Sequence, residues 1–347
     1  MRKKMLLLVC TCLLLLVGCA TPAPVSTAPE TKAPEKTKEE TKAETKEEAT
    51  QEPEAPNLPA EIRIGALKGA TSMGLAGMQE LPGYAFVMET AADAMMTRII
   101  KGEVDIALIP ANVAANLYAK TQGEVIVIDI NTLSVLHFVS GDASIASAAD
   151  LEGRTVYLTG KGTTPDYVMQ YLMKSAGLEN VILEFKSEPT EVVAVLAESS
   201  ESVGLLPQPF VTTALLQNQS LACVLSVNEL WGQYDAGGSR QVTGVTVVRK
   251  GFWEAYGAQA VTKFLADHKE SVRFVNENPS QAATIIESLG IVGKAAIAEK
   301  AIPGCAISAI AGEEMREALS GYLQVLFELN PASVGGAVPA DDFYFIP

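Results

Sequence analysis

From residue 61 onward the sequence predicts an α/β protein of two lobes, and three observations carry that expectation. Short apolar runs alternate with amphipathic stretches of helical period, the pattern of a parallel sheet covered by helices on both faces. The alternation occurs twice, once over 61–132 and again over 155–227. Two extended runs, near 131–140 and 240–248, fit neither series and read as crossings from one lobe to the other.

In chain order, IRIGAL (62–67) is a strand, SMGLAGMQEL (72–81) a helix, YAFVME (84–89) a strand and AADAMMTRIIKG (91–102) a helix. DIALIP (105–110) and VIVIDI (125–130) are strands on either side of the helical NVAANLYAK (112–120), and LSVLHFVS (133–140) is extended. After a turn capped by Ser147, the second series runs strand 155–160, helix 164–177, strand 181–186, helix 190–199, strand 202–207, helix 210–219 and strand 221–227. QVTGVTVVRK (241–250) is extended again. The remainder, 251–329, has helical period with breaks at Pro279, Gly290 and Pro303.

The first sixty residues differ in kind. Arg2, Lys3 and Lys4 precede a thirteen-residue apolar run, Met5 to Val17, too short for a membrane span of about 20 residues but suited to a signal peptide. The run ends in Leu16-Val17-Gly18-Cys19, which resembles the lipobox of bacterial lipoproteins. That resemblance implies removal of 1–18, diacylation of Cys19 and anchoring outside the cytoplasm, since two acyl chains hold a protein at a membrane where one does not. Residues 19–60 carry seven prolines, five Lys and nine Glu, with almost nothing large and apolar to bury, and read as a disordered tether.

With the signal at +3 and the tether at −4, the chain's −15 leaves −14 on the folded body. An acidic body argues against nucleic-acid binding, which needs clustered Lys and Arg. Two histidines, His137 and His268, make a His-built metal site or multi-His catalysis improbable. His137, in an apolar segment, reads as a satisfied core residue and His268, in LADHKES, as solvated surface. Cys223 and Cys305, without framework spacing, read as free buried thiols.

Ligands of open α/β sheets lie beyond the carboxyl ends of the strands, so the strand-to-helix loops are the candidate contacts. The first, Lys68-Gly69-Ala70-Thr71-Ser72, ends in a candidate cap, Ser72, and leads into a turn with no acid, able to hold an anionic or strongly polar group with help from Lys68 and Thr71. Thr90 with Asp93 reads as a capping box. Asn112, after Pro110, either caps its helix or points into the cleft. In Gly160-Lys161-Gly162-Thr163-Thr164-Pro165, Thr164 reads as the cap and Pro165 as the first helical residue, with Lys161 and Thr163 beside them. The loop lacks the third glycine of a dinucleotide fingerprint and the Gly-Lys-Ser/Thr ending of a phosphate-binding loop. Asp166 partly neutralises the helix start, which favours a neutral or zwitterionic group. Gln208-Pro209 is the last loop, and Trp231 with Tyr234 either stacks on a planar ligand at the rim or packs within a lobe. Gly141 and Gly244, at the ends of the crossings, read as hinges.

The order of these elements, with GALKGATSMGL, LIPANVAANLYAK, GKGTTPDYVMQYLMKSAGL, LLPQPFVTTAL and GVTVVRKGF, resembles the substrate-binding lipoproteins of ABC importers, in the nitrate/sulfonate/thiamine-precursor group. The resemblance covers 61–347 and implies the periplasmic-binding-protein type II fold, with lobe one from 61–136 and 244–347 and lobe two from 137–243. It further implies a monomer that binds a small molecule between the lobes and delivers it to permease subunits, without a cofactor, a metal or catalysis. It tilts Asn112 toward a ligand contact. Similar proteins often carry an acid where this chain has Gln208, which puts a cation contact there in doubt. An enzyme on the same fold, like pyrimidine synthases or dehydratases, would need chemistry that is not apparent: the sequence carries no G-x-S-x-G or H-E-x-x-H motif and no paired carboxylates in the cleft loops. A surface sensor without a permease is the third reading.

Overall fold

The computed structural model describes residues 58–347 except Ala236. The signal-like 1–18, Cys19 and the tether up to residue 57 lie outside the described residues.

Two mixed sheets organise the chain. The first contains β1 (Ile62–Leu67), β2 (Tyr84–Glu89), β3 (Ile106–Pro110), β4 (Val125–Leu133), β10 (Val242–Arg249) and β11 (Ile307–Ile310), in the order β11-β4-β10-β3-β1-β2. The second contains β5 (Leu136–Ser140), β6 (Thr155–Thr159), β7 (Ile182–Lys186), β8 (Val203–Pro207) and β9 (Ala222–Ser226), in the order β7-β6-β8-β5-β9. Only β1 with β2 and β3, and β6 with β7 and β8, pair parallel. β10 runs antiparallel to both β3 and β4, β11 antiparallel to β4, and β5 antiparallel to β8 and β9. The expectation of purely parallel sheets is corrected here. A strand that returns from the other lobe inserts against the direction of its neighbours, and hydropathy does not report direction.

Helices α1 (Ala92–Lys101), α2 (Ala111–Thr121), α3 (Thr164–Ala176), α4 (Pro189–Glu198), α5 (Phe210–Gln217) and α6 (Val227–Tyr234) connect the strands. The C-terminal stretch folds into α7 (Lys250–Glu277), α8 (Pro279–Ser288), α9 (Ala295–Ala301) and α10 (Gly312–Leu329), with a kink in α7 at Gly257. Within it the sequence reading missed β11, whose four residues are too few to show a period of two.

The segment read as helix 72–81 is a 3-10 helix, Ala70–Met78, pressed against α7. Glycines permit the approach: a Cβ on Gly77 would stand 2.9 Å from Ser271 Oγ, and one on Gly74 3.1 Å from His268 Nε2. His268 is therefore not solvated surface. It shares a buried α7 face with Val261, Phe264, Val272 and Val275, and its Nδ1 lies 2.6 Å from Asp129 Oδ2. The Thr90–Asp93 capping box does not form either, because the helix starts one residue later with Ala91 as cap. Ser147 and Asp150 do form one.

Between the sheets the chain crosses first at Ser134-Val135 and again through Gly237–Gln241 before β10. Gly141 lies at the far end of β5, where its N–H donates to Ser200 O and a side chain would meet the Ser200 and Ser220 carbonyls. Gly244 lies inside β10, paired with Pro110 and Thr132. Both glycines, expected as hinges, are kept small by close neighbours.

Candidate functional site

Among the parallel strands of each sheet the order reverses once, leaving a switch point between β1 and β3 in the first and between β6 and β8 in the second. Strand ends at such points are where open α/β sheets hold ligands.

At the first switch point, β1 leads through Lys68 and Gly69 into the 3-10 helix, and β3 leads through Pro110 into α2. Neither helix has an acid in its first turn or a side-chain cap, so both present uncompensated N–H groups. Lys68 is exposed, and Thr71 and Asn112 are half-buried. Ser72 is fully buried and its hydroxyl donates to the Leu67 carbonyl, so it ties the strand end to the helix and faces no cleft. Gly244 completes the floor: a Cβ there would stand 2.4 Å from Asn131 Oδ1 and 2.7 Å from Thr71 Cγ2.

Asn131 escaped the sequence reading. It is 1% exposed; its Nδ2 donates to Thr246 Oγ1 at 3.2 Å, while Oδ1 has no hydrogen-bond partner. Thr132 Oγ1, equally buried, has none. A buried polar atom left unpaired costs about 1–3 kcal/mol; these two lie on β4, where Gly244 of β10 lets Asn131 Oδ1 approach Thr71 of the first loop. The signal was available as the polar run Asn131-Thr132-Leu133-Ser134 inside an otherwise apolar segment.

The second switch point carries the other loops. Thr163, not Thr164, caps α3, which begins at Thr164 with Pro165 second. The Thr163 hydroxyl donates back to Gly160 O at 2.6 Å, in a turn that needs Gly160 at φ +75°. Asp166 is buried and occupied within the loop, accepting from Gly162 N at 2.8 Å and Gln170 Nε2 at 2.7 Å. Lys161 is exposed, with its ammonium 5.8 Å over the Phe185 ring. Gln208 is 9% exposed, its Oε1 accepting from Thr212 N and Oγ1 at the start of α5. Its Nε2 leans on Gly304, where a Cβ would stand 2.6 Å away.

Further contacts join the two sides. His137 Nε2 lies 3.0 Å from Gly304 O, which makes this histidine a polar link from β5 of the second sheet to the turn before β11 of the first. Asn330 Nδ2 donates to Tyr167 OH at 2.9 Å. Trp231 is 1% exposed, stacked on Tyr171 at 4.0 Å and donating from Nε1 to Ser239 Oγ at 3.1 Å. Of the two readings of Trp231, packing is the one seen, and it leaves the set of rim contacts. The buried polar groups at the junction include the amides and hydroxyls of Asn131, Thr132, Gln208, Gln241 and Thr246, together with two carboxylates already engaged, Asp129 against His268 and Asp166 within its loop.

Of the two thiols, Cys305 is buried and raised to about 12 by burial, whereas Cys223 is exposed on β9, correcting half of that reading. Among the described residues no cluster of three or more His, Cys, Asp or Glu could hold a metal, and no helix is long and apolar enough to cross a membrane.

Comparison with known proteins fits this geometry. Residues 75–222 match a family model described as ABC transporter, phosphonate, periplasmic substrate-binding protein. No curated protein is matched by sequence. Among solved structures, an ABC transporter protein from Parabacteroides distasonis is 22% identical with a TM-score of 0.71, over 83% of this chain and 99% of that one. The periplasmic aliphatic sulphonate binding protein SsuA from Escherichia coli is 18% identical with a TM-score of 0.65, over 83% and 93%. A Candida albicans protein described as having the generic periplasmic binding protein fold is 15% identical with a TM-score of 0.50, over 82% and 93%. Residues 75–222 are thus similar to the ABC-type periplasmic substrate-binding family, and the described residues have the periplasmic binding protein fold.

Proposed function

We propose that this protein is the tethered receptor of an ABC importer, which closes two lobes around a small organic molecule and passes it to permease subunits. Lobe one is taken as 61–136 with 244–347, and lobe two as 137–243. What supports the reading is that each sheet has a switch point whose strands lead into helix starts, with half-buried polar side chains at both and unmatched polar atoms on the neighbouring β4. Thr71, Asn112, Asn131, Thr163 and Thr164 are the proposed contacts, with Lys68 and Lys161 at the mouth.

The ligand class follows from what is buried there. Amides and hydroxyls suit a neutral, zwitterionic or singly charged molecule: a sulfonate, a carboxylate or a nitrogen heterocycle. A dianion deprived of water would need a buried cation to offset its desolvation. The relatives' sulfonate and phosphonate names support the small-anion end of this range. Closure requires only that the ligand bind one lobe arrangement better than the other, so no catalysis and no cofactor enter the proposal. The anchor is assigned to Cys19: Cys19→Ser is expected to abolish incorporation of labelled palmitate and release the protein from membranes. Retention of label would remove it. The protein is expected to sediment as a monomer.

Binding itself is tested by native mass spectrometry for a co-purified molecule and by melting against a metabolite panel. At a hundredfold excess over Kd a bound ligand stabilises by about 2.7 kcal/mol, a rise in Tm of roughly 5 °C for a body of this size. Turnover of a panel member, without any shift in melting, would favour an enzyme on the same fold.

A further inference from the structure

The helix Ala70–Met78 holds a 3-10 form for nine residues, where runs beyond three or four are uncommon. One side chain of α7 meets it in the middle. Ser271 is 3% exposed, and its hydroxyl donates to the Gly74 carbonyl and accepts from the Gly77 N–H at 2.8 Å. A carbonyl and an N–H three residues apart are the pair that a 3-10 turn joins directly. The hydroxyl is therefore spliced into the ladder from a distant helix. Only glycine admits this approach, since a Cβ on Gly77 would stand 2.9 Å from Ser271 Oγ and 3.0 Å from Ser271 Cα.

The start of the same helix is tied to the strand before it. The Ser72 hydroxyl donates to the Leu67 carbonyl, and Ser72 N donates to Gly69 O at 3.2 Å. Only Met73, which has no exposure, separates this turn from Gly74. The turn with Thr71 and the uncompensated N–H groups thus lies between two hydroxyl anchors, one from β1's end and one from α7. In α-helical form the nine residues would be shorter by about 4–5 Å, because the rise per residue is smaller. The form of the helix therefore decides where its first turn stands.

We propose that Ser271 is a positioning residue for the binding site: its hydroxyl holds Ala70–Met78 on α7 in the 3-10 form and so fixes Thr71 and the free N–H groups of the first turn. The inference rests on the first switch point being part of the ligand site.

Hydrogen exchange of the full chain, read amide by amide without a ligand, tests it. Ser271→Ala removes the hydroxyl and leaves a good helix former in α7. Exchange at Gly77, and also at Ser72 and Met73, which do not bond to Ser271, is expected to rise about tenfold, the equivalent of one net hydrogen bond. Amides of β6 to β9 should stay within about twofold. Ser271→Thr keeps the hydroxyl and should return all three amides to within about twofold of wild type. Gly77→Ala, which pushes the hydroxyl away from the other side, should reproduce the pattern of Ser271→Ala at Ser72 and Met73. A rise confined to Gly77 overturns the proposal, because the first turn would then be placed without Ser271. So does a uniform rise over both sheets, which would mean lost stability alone, or a Ser271→Thr variant as perturbed as Ser271→Ala. A failed ligand screen would count against the receptor reading and leave this pattern standing, while a failed exchange experiment would leave the receptor reading intact.

Discussion

His268 and Asp129 are both fully buried, and the ring lies within hydrogen-bonding distance of the carboxylate through Nδ1. Removing one member of a buried pair strands the other, at about 3–5 kcal/mol. His268→Leu is therefore expected to lower stability in urea by about 3 kcal/mol, and Asp129→Asn in the same background to recover part of the loss; equal and additive costs would contradict the pairing. Gly160 is a second sensitive residue. A Cβ there would stand 2.2 Å from Thr163 Oγ1, in a left-handed conformation that costs an L-residue about 1–2 kcal/mol. Gly160→Ala should lose about that much stability and weaken ligand binding, both read from melting curves. At this scale the sequence was only partly legible. The loops bearing Thr71, Asn112 and Thr163 could be read from strand-to-helix transitions. The burial of Ser72, Trp231 and His268 could not, because it depends on which helix face a distant segment covers, and polar neighbours in LADHKES point the other way.

Among elements, the junction of β1, β3 and β10 is held by charge. Asp105 is buried and accepts from Arg63 N, Nε and Nη2, and from Arg249 Nη2 at 3.4 Å. Burial alone would raise its pKa, but the bonds and charge of Arg63, joined by Arg249, outweigh it and hold the carboxyl below its ordinary value of 3.8. A group lowered on folding contributes stability that is present above the unfolded value and lost as pH falls through the folded one. Asp105→Asn is expected to cost about 2 kcal/mol at pH 7. The gap between variant and wild type should close as the pH is taken below about 4; a gap independent of pH would contradict the ionic account. Gly244 in β10 makes the neighbouring case: a Cβ would overlap Asn131 Oδ1 and Thr71, so Gly244→Ala should cost about 1–3 kcal/mol by overpacking and disturb the same floor. Element existence was legible from apolar periodicity almost throughout. Strand direction was not, and neither was the choice of a 3-10 over an α-helix at Ala70–Met78, which follows from glycines lying against α7.

Among the described residues, the two mixed sheets share one apolar cluster that includes Leu319 and Tyr322 of α10 with Phe138, Tyr167 and Trp231. That continuity was invisible in sequence, because α10 begins nearly ninety residues after β9, the last strand of the second sheet. The reading of two similar α/β series did anticipate two sheets. The acidic balance, −14 on the folded body, bears on solubility and long-range field rather than on the pocket. The central claim is that this body exists to hold a small molecule between its sheets. Thermal melting of the full chain against sulfonates, carboxylates, pyrimidines, vitamins and amino acids measures it most directly. The account predicts a saturable rise in Tm of roughly 5 °C with at least one singly charged, zwitterionic or neutral compound, reduced by Asn131→Leu. A flat melting temperature across that panel, with no molecule retained in native mass spectrometry, would contradict it.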